Sequence, residues 1–211
     1  MMLRGLYAIA DSGRIFEADF AAAVDAALAG GAVMVQYRDK GDDRVRRARQ
    51  AGTVVRLCRA YGATAIVNDD LGLAATVGAH GVHIGRDDAS LDAVRARLGA
   101  SAVIGVSCYN EIGRARDAVA RGADYVAFGS VYPSPTKPAA VHAPLTLLGR
   151  ARAELDVPIC AIGGITAERA AEVIAAGADL AAVIDDLFSA ADIRSRARMY
   201  ADAFARADAT L

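Results

Sequence analysis

Short apolar runs alternate along the chain with longer segments in which apolar residues recur every three or four positions. Runs of four or five apolar residues are typical of parallel strands that are buried on both faces. The longer segments have the period of amphipathic helices. The predicted strands are Leu6–Ile9, Ala32–Val35, Thr64–Val67, Gly81–Ile84, Ala102–Val106, Tyr125–Phe128, Pro158–Ile162 and Leu180–Ile184.

Eight strand–helix units follow one another at a spacing of roughly 20 to 30 residues, within the size range of a (β/α)8 barrel. This repetition predicts a TIM barrel with parallel strands, formed as a single domain by residues 1–211. A doubly wound open sheet is the alternative fold. Thr166 is a predicted helix N-cap, and Gly177 a predicted helix end. The clearest helical stripes are Phe20, Ala23, Val24, Ala27 and Leu28, and Val45, Ala48, Ala51, Val54, Val55 and Cys58.

Composition narrows the class of protein. The chain is 55% hydrophobic with only 5 Pro, which argues against disorder, and its net charge of -1 argues against nucleic-acid binding. The three cysteines lack metal-binding spacing, which favours reduced thiols in a cytoplasmic protein. No apolar run approaches the roughly 18 residues of a membrane span, and the first residues do not resemble a signal peptide. A homo-oligomer is compatible with the sequence, which does not determine the oligomeric state.

Unusual polar residues follow several predicted strands, where a barrel carries its active site. Gln36, Arg38 and Lys40 alternate along an extended segment, so their side chains leave one face. Two cations and an amide on one face suit a polyanion better than a core. The opposite turns are mostly Gly and Ala. This asymmetry predicts a site for an anionic substrate at the carboxyl ends of the strands.

Carboxylates follow the third and fourth predicted strands. Such residues often cap helices, but Asp70 is the better placed cap after the third strand, which leaves Asp69 free. Asp87 and Asp88 pose the same question after the fourth strand, where Ser90 competes as the cap. Two carboxylates on adjacent strand ends are suited to Mg2+, which typically takes one or two carboxylates together with phosphate oxygens. The sequence therefore predicts a magnesium site.

Two later segments are suited to phosphate. The loop Ser134–Lys137 carries two hydroxyls and an ammonium among prolines, so it is either a lid over the site or a solvated turn. Gly163 and Gly164, just before Thr166, form either a phosphate-binding turn or a tight turn that requires small residues. His83 lies within a predicted strand, where a packed, hydrogen-bonded histidine is expected.

Seven segments, in this order, resemble the thiamine-phosphate synthase family, also called thiamine-phosphate pyrophosphorylase. The resemblance runs from about residue 3 to residue 188. The segments are Leu6–Ile9, Gln36–Lys40, Asn68–Asp70, Gly81–Gly85 with Asp88, Gly105–Ser107, Pro133–Lys137 and Ala161–Thr166.

The resemblance implies a TIM barrel and a magnesium-dependent transferase that joins two small molecules, hydroxymethylpyrimidine diphosphate and hydroxyethylthiazole phosphate. Diphosphate leaves first, and the thiazole nitrogen then attacks the pyrimidinyl-methyl cation to give thiamine phosphate. Such a reaction depends on charge stabilisation and positioning more than on acid–base catalysis.

The resemblance also implies a role for each matching residue. Lys137, Ser107 and Arg38 are the implied catalytic residues, and Asp69 and Asp88 the implied magnesium ligands. The implied substrate-binding residues are Gln36, Tyr37, Arg38, Asp39, Lys40, Asn68, Ser107, Ser134, Pro135, Thr136, Lys137, Gly164, Ile184 and Asp185.

The chain departs from the family pattern at His80, Arg86 and Asp185. Asp185 stands where many members have Ser, beside the expected thiazole phosphate. As a helix N-cap it would compete with phosphate for backbone N–H groups, and we expect it to turn away. Two other functions remain open, a thiazole tautomerase-like isomerase and a regulatory barrel that binds thiamine phosphates. The complete set of diphosphate and magnesium residues favours the synthase.

Overall fold

The computed structural model describes residues 3–133 and 141–209, and its eight strands close into a barrel in chain order. All neighbouring pairs are parallel, including β1 with β8. The TIM barrel is therefore confirmed and the open sheet excluded. The strands are β1 Gly5–Asp11, β2 Met34–Arg38, β3 Thr64–Asn68, β4 Gly81–Ile84, β5 Val103–Tyr109, β6 Tyr125–Gly129, β7 Ile159–Ile162 and β8 Leu180–Val183.

Helices follow the strands and surround the barrel. In the described part of the chain, no helix is long and apolar enough to cross a membrane. Short 3-10 turns precede α1 and α7, at Glu17–Asp19 and Ala167–Arg169. The helices are α1 Phe20–Ala29, α2 Arg44–Tyr61, α3 Leu71–Val77, α4 Leu91–Leu98, α5 Ile112–Ala120, α6 Leu145–Glu154, α7 Ala170–Ala175, α8 Asp185–Phe188 and α9 Ile193–Asp208.

Two apolar cores hold the barrel together. The larger one lies between strands and helices, and it includes the predicted α1 stripe. The smaller one fills the barrel interior, so the barrel is packed rather than open. The buried residues of the interior core are Leu3, Tyr7, Ile9, Met34, Ile66, Tyr125, Ala127, Cys160, Leu180 and Ala182.

The second strand lies further along the chain than the sequence predicted. It runs over Met34–Arg38 instead of Ala32–Val35, so Gln36 and Arg38 belong to the strand itself. Gln36 is only 3% exposed and pairs in register with Ile9 of β1. The strand continues into polar residues because the barrel supplies hydrogen-bond partners for them.

Two other strands also contain predicted loop residues. Asn68 ends β3, and Ser107 lies within β5, which continues to Tyr109. The register between β5 and β6 shifts between Ser107 and Tyr109, as in a β-bulge. Both of these side chains line the cavity described below.

Helix capping follows the prediction after β3, and Ser90 is the cap after β4. Asp70 accepts a hydrogen bond from Leu73 N at 2.8 Å, and Ser90 accepts one from Ala93 N at 3.2 Å. Asp69 and Asp88 are thereby left for other contacts. The predicted α2 stripe is wrong at its start, since Val45 is 80% exposed.

The amino end of the barrel carries a repeated turn, Gly-Ala-Asp, at residues 122–124 and 177–179. Asp124 accepts a hydrogen bond from Ile104 N at 2.7 Å, and Asp179 accepts one from Ile159 N at 2.8 Å. Arg95 pairs with Asp124 at 2.7 Å, and Arg152 pairs with Asp179. Each turn therefore joins two neighbouring strands to a helix.

Candidate active site

A cavity of about 750 Å³ opens at the carboxyl end of the barrel. Residues from every strand or from the loop after it contribute to its wall. Its base is formed by side chains of the interior core, among them Tyr7, Cys160 and Ala182. The base is therefore mostly apolar, whereas polar groups converge from the strand ends. This combination is typical of a small-molecule site.

A chain of hydrogen bonds crosses the base of the cavity. We call it the polar relay; it joins Gln36, Tyr7, Tyr125, His83 and Ser107. Gln36 Nε2 donates to Tyr7 Oη at 2.6 Å, and Tyr7 Oη lies 2.9 Å from Tyr125 Oη. His83 Nδ1 lies 3.0 Å from Tyr125 Oη, and His83 Nε2 lies 2.8 Å from Ser107 Oγ. The relay fixes the orientation of the Gln36 amide and the Ser107 hydroxyl.

Burial keeps the two phenols of the relay uncharged. It raises the pKa of Tyr7 and of Tyr125 well above the usual value, so both phenols stay protonated. Tyr125 also stacks on His83, with ring centroids 5.6 Å apart. A Cβ at Gly105 would overlap the Tyr125 ring, so β5 requires a glycine there. His83 is thus the packed, hydrogen-bonded histidine that the sequence predicted.

Two cations lie at the carboxyl end of β2, and a carboxylate holds each of them. Arg38 lines the cavity and donates to buried Asp11, whose other oxygen accepts from Gly13 N at 2.9 Å. Lys40 lies at the rim and pairs with Asp69. Protein groups therefore hold both cations in place before any substrate binds.

Asp69 and Asp88 meet at this rim through a hydrogen bond between their side chains. Burial opposes ionisation of Asp69, but hydrogen bonds from Lys40 and Asp88 outweigh it and lower its pKa. Burial and the neighbouring Asp69 raise the pKa of Asp88, although Gly85 N donates to it at 2.6 Å. Two carboxylates so close repel each other unless they share a proton or a cation.

The pair therefore fits a hard divalent cation. Carboxylate oxygens are the ligands that Mg2+ prefers, and one or two of them suffice when substrate oxygens complete the shell. Among residues 3–133 and 141–209, no group of three or more His, Cys, Asp or Glu side chains is arranged for a metal. A metal held here would thus depend on other ligands as well.

The opposite side of the cavity is built from Gly163 and Gly164, which we call the glycine turn. Both have positive φ, 103° and 61°, a region that favours glycine. A Cβ at Gly163 would lie 2.7 Å from Ser130 Cα, and one at Gly164 would lie 2.8 Å from Tyr132 Cβ. Packing against the β6 loop therefore also requires glycine. The turn is suited to backbone contacts with an anion.

Asp185 does not cap the helix that follows β8. It is the first residue of α8, whose N-cap is Ile184, and no side chain provides the cap hydrogen bond. Its carboxylate lies 3.6 Å from Arg14 Nη1. As expected, the side chain does not compete with phosphate for the backbone N–H groups at the start of α8, because it pairs with an arginine of the β1–α1 loop instead.

Asp186 joins the residues after the glycine turn to α9. It accepts hydrogen bonds from Ala167 N at 3.2 Å and from Tyr200 Oη at 2.6 Å, and it pairs with Arg196. Thr166 occupies the N-cap position that the sequence predicted, but its side chain makes no cap hydrogen bond. Asp186 supplies the acceptor for this turn.

Seven of the sixteen predicted site residues line the cavity, and Lys40, Asp69 and Asp88 lie beside it without lining it. Tyr37 and Asp39 lie apart from the cavity wall, because side chains alternate along a strand. Tyr37 Oη lies 3.0 Å from Asp39 Oδ2 and 3.1 Å from Gln50 Oε1, on the helix side of β2, and can donate its proton to either. Ser134, Pro135, Thr136 and Lys137 lie outside the described residues. The predicted residues that line the cavity are Gln36, Arg38, Asn68, Ser107, Gly164, Ile184 and Asp185.

Sequence reasoning missed several polar groups of the site. Tyr7 and Tyr125 had a usable signal, since each is a phenol within an otherwise apolar strand of a barrel interior. Asp11 ends β1 as Asn68 ends β3, so its position at a strand end was also informative. Arg14 and Arg169 had no such signal.

A cavity with cations at one side and a glycine turn at the other is expected of a TIM-barrel enzyme that acts on phosphorylated small molecules. Comparisons with known proteins agree. The family model described as thiamine monophosphate synthase matches residues 6–187. The chain belongs to this family, and its activity is that of a thiamine-phosphate synthase, a transferase.

Individual relatives give the same result over nearly the whole chain. The thiamine-phosphate synthase of Nitrosococcus oceani is 52% identical, over 96% of this chain and 93% of its own. That of Chromobacterium violaceum is 54% identical, over 96% and 97%. The thiamine phosphate pyrophosphorylase from Pyrococcus furiosus superposes with a TM-score of 0.86 at 30% identity, covering 96% of both chains.

Proposed function

We propose that the chain condenses hydroxymethylpyrimidine diphosphate with hydroxyethylthiazole phosphate. The observation that carries this proposal is a cavity at the carboxyl end of the barrel with cations at one side and the glycine turn at the other. Arg38 and Lys40 suit a diphosphate, and the glycine turn suits a phosphate monoester. One cavity that holds both groups would bring the two ring systems together between them.

The proposed reaction begins when the bond between the pyrimidine methylene carbon and the diphosphate oxygen breaks. The electron pair leaves with the diphosphate, and the thiazole nitrogen then forms a new carbon–nitrogen bond. Arg38 and Lys40 would stabilise the charge that grows on the leaving group. The polar relay would hold Gln36 and Ser107 in fixed orientations beside the pyrimidine, and apolar residues at the base would limit the access of water to the cation.

Mg2+ is the proposed cofactor, held by Asp69 and Asp88. When bound, it would neutralise part of the diphosphate charge. Lys40 is held by Asp69 at the same rim, so its ammonium would contribute positive charge beside the proposed metal site. Lys137, Ser134, Pro135 and Thr136 keep their proposed roles from the sequence alone, with Lys137 acting on the leaving diphosphate.

A cytoplasmic location and an action on small molecules rather than nucleic acid or membranes are part of the same proposal. Cys58, Cys108 and Cys160 are free thiols, and all are buried. Burial raises the pKa of Cys58 and of Cys108 to about 12, so both stay protonated. Buried free thiols are consistent with a reducing compartment.

The test is an assay of the purified chain with both substrates and Mg2+. We expect release of diphosphate and formation of thiamine phosphate in equal amounts, and neither product when the thiazole phosphate or the metal is omitted. Isomerisation of a thiazole carboxylate phosphate without diphosphate release would instead indicate a tautomerase. Binding of thiamine phosphate without turnover would indicate a regulatory barrel.

A further inference from the structure

An arginine without a role in the proposed reaction lies beside the glycine turn. Arg169 ends the 3-10 turn Ala167–Arg169, and its side chain lines the same cavity as Gly163 and Gly164. Arg38, the other arginine that lines the cavity within the described ranges, comes from β2. The cavity thus has positive charge at both of its proposed anion sites.

Tyr132 holds the guanidinium of Arg169. The Cζ atom of Arg169 lies 4.6 Å from the centroid of the Tyr132 ring, a cation–π arrangement. Tyr132 Oη donates to Glu172 Oε2 at 2.7 Å, which fixes the ring. Burial and this hydrogen bond raise the pKa of Tyr132 to about 12, so the ring stays an uncharged platform.

Tyr132 in turn packs on the glycine turn. Its backbone N donates to Gly163 O at 3.1 Å, and a Cβ placed on Gly164 would lie 2.8 Å from Tyr132 Cβ. Tyr132 therefore contacts the glycine turn through its backbone and Cβ, and the Arg169 guanidinium through its ring. Because the turn and Arg169 line the same cavity, an anion bound at the turn would face a wall that also carries this guanidinium.

The two arginines of the cavity differ in their partners. Asp11 holds Arg38, whereas Arg169 makes no ion pair with a carboxylate of the described residues. Its charge is thus available to a ligand. The nearby carboxylates have other partners: Asp185 pairs with Arg14, Asp186 and Glu168 pair with Arg196, and Glu172 accepts from Tyr132.

We propose that Arg169 binds the phosphate of the thiazole substrate on the glycine turn and makes the site selective for the phosphorylated thiazole over its alcohol. This inference rests on the proposed function, because it takes the ligand from it. A guanidinium presents parallel N–H donors that match two phosphate oxygens. The backbone N–H groups of the glycine turn would then bind the remaining phosphate oxygens. Tyr132 keeps the fork oriented before the ligand arrives.

The decisive variant is Arg169→Gln, which removes the charge and keeps a planar polar end. We would titrate it and the wild type with thiazole phosphate and with hydroxyethylthiazole by calorimetry, and measure KM for both substrates. The Kd and KM for thiazole phosphate should rise by about tenfold or more, which corresponds to about 1.4 kcal/mol. The Kd for the alcohol and the KM for the pyrimidine diphosphate should stay within roughly twofold.

Two further variants separate the contact from general effects. Tyr132→Leu keeps Arg169 but removes its platform, and it should raise the Kd for thiazole phosphate by less than Arg169→Gln does. Arg150→Gln is the matched control, because Arg150 is an exposed arginine of α6 that pairs with Glu154 at 2.8 Å. It should bind like the wild type.

An unchanged Kd for thiazole phosphate in Arg169→Gln would overturn the inference, and so would an equal rise for the phosphate and the alcohol. Calorimetry does not depend on turnover. A wild type that binds thiazole phosphate but releases no diphosphate would therefore refute the proposed reaction. The ratio of the Kd values of Arg169→Gln and the wild type for thiazole phosphate would still decide the role of Arg169.

Discussion

At the amino end of the barrel, Asp124 and Asp179 each accept a backbone N–H and pair with an arginine. At the carboxyl end, Asp69 and Asp88 face one another, and Lys40 holds one of them. The same side chain thus occurs in two different environments at the two ends of one set of strands.

The difference lies in which partners the protein itself supplies. Each amino-end carboxylate has protein donors close by, so its charge is compensated and contributes to stability. The carboxyl-end pair has more negative charge than the protein compensates, since one lysine faces two carboxylates. Such an arrangement costs stability unless a cation or a shared proton offsets the charge. Substitutions at the two ends should therefore affect different measurements.

The largest effect is expected at Asp69. Asp69 has a φ of 61°, which Asn tolerates better than most residues, so Asp69→Asn removes the charge with little backbone strain. We expect kcat/KM with Mg2+ to fall by about a hundredfold, with a Tm within about 2 °C of the wild type. Asp87→Ala is the matched control at an exposed neighbouring carboxylate and should keep its activity. Full activity of Asp69→Asn in chelator-treated buffer would refute the metal assignment.

The next effect is expected at the amino end, where a substitution should lower stability and leave activity unchanged. Asp179→Ala leaves Ile159 N without its side-chain acceptor and removes the carboxylate that pairs with Arg152 and Arg4. The free energy of unfolding should fall by about 2 kcal/mol, while kcat/KM well below the Tm should be unchanged. Urea unfolding and the diphosphate assay measure the two quantities.

Asp92→Ala is the control for that experiment. Asp92 forms an exposed ion pair with Arg121 at 3.4 Å, and such pairs contribute only about 0.2–1 kcal/mol. If Asp179→Ala lowered kcat/KM at temperatures well below the Tm, where the variant is folded, the proposed division between the two ends would be wrong.

A smaller effect is expected where Arg14 pairs with Asp185 at the rim of the cavity. Arg14→Ala should expose the phosphate to the Asp185 carboxylate and raise KM for thiazole phosphate by about threefold to tenfold. Asp185→Ser alone should change this KM by less than about tenfold. The double variant should recover most of the loss, because the repelling charge is gone.

Steady-state kinetics of this double-mutant cycle measure the coupling between Arg14 and Asp185. Arg49→Ala is a suitable control, since Arg49 is exposed and forms an ion pair with Glu17 away from the cavity wall. A double variant no better than Arg14→Ala would show that Arg14 acts on the phosphate by another route.

The smallest effect concerns pH. Hydrogen bonds from Arg196 lower the pKa of Glu168 from 4.5 to about 2. Since the folded pKa is depressed, the stabilisation is present above about pH 4.5 and is lost as the pH falls towards 2. Urea unfolding of wild type and Glu168→Gln should therefore show a difference at pH 6 that narrows between pH 4.5 and 3. A difference that does not vary with pH would contradict this assignment.

Much of the site was predictable because its signals are local. Alternation placed Gln36 and Arg38 on one face, and helix capping by Asp70 and Ser90 left Asp69 and Asp88 free. The same alternation explains why Tyr37 and Asp39, which lie in the same motif, point away from the cavity. A motif match assigns a segment, whereas the pleat of the strand decides which of its side chains reach the site.

The sequence by itself determined the eight strands, the barrel and the end of the barrel that carries the chemistry. These features follow from the lengths of apolar runs and from the period of apolar residues, which are local properties of the chain. The tertiary structure decided which distant groups meet. Tyr7 and Tyr125 are 118 positions apart and share a hydrogen bond only because the barrel closes. The pairing of Arg14 with Asp185 and the placement of Arg169 on Tyr132 likewise join separate loops. Such contacts depend on the register and closure of the whole sheet, which no local pattern specifies.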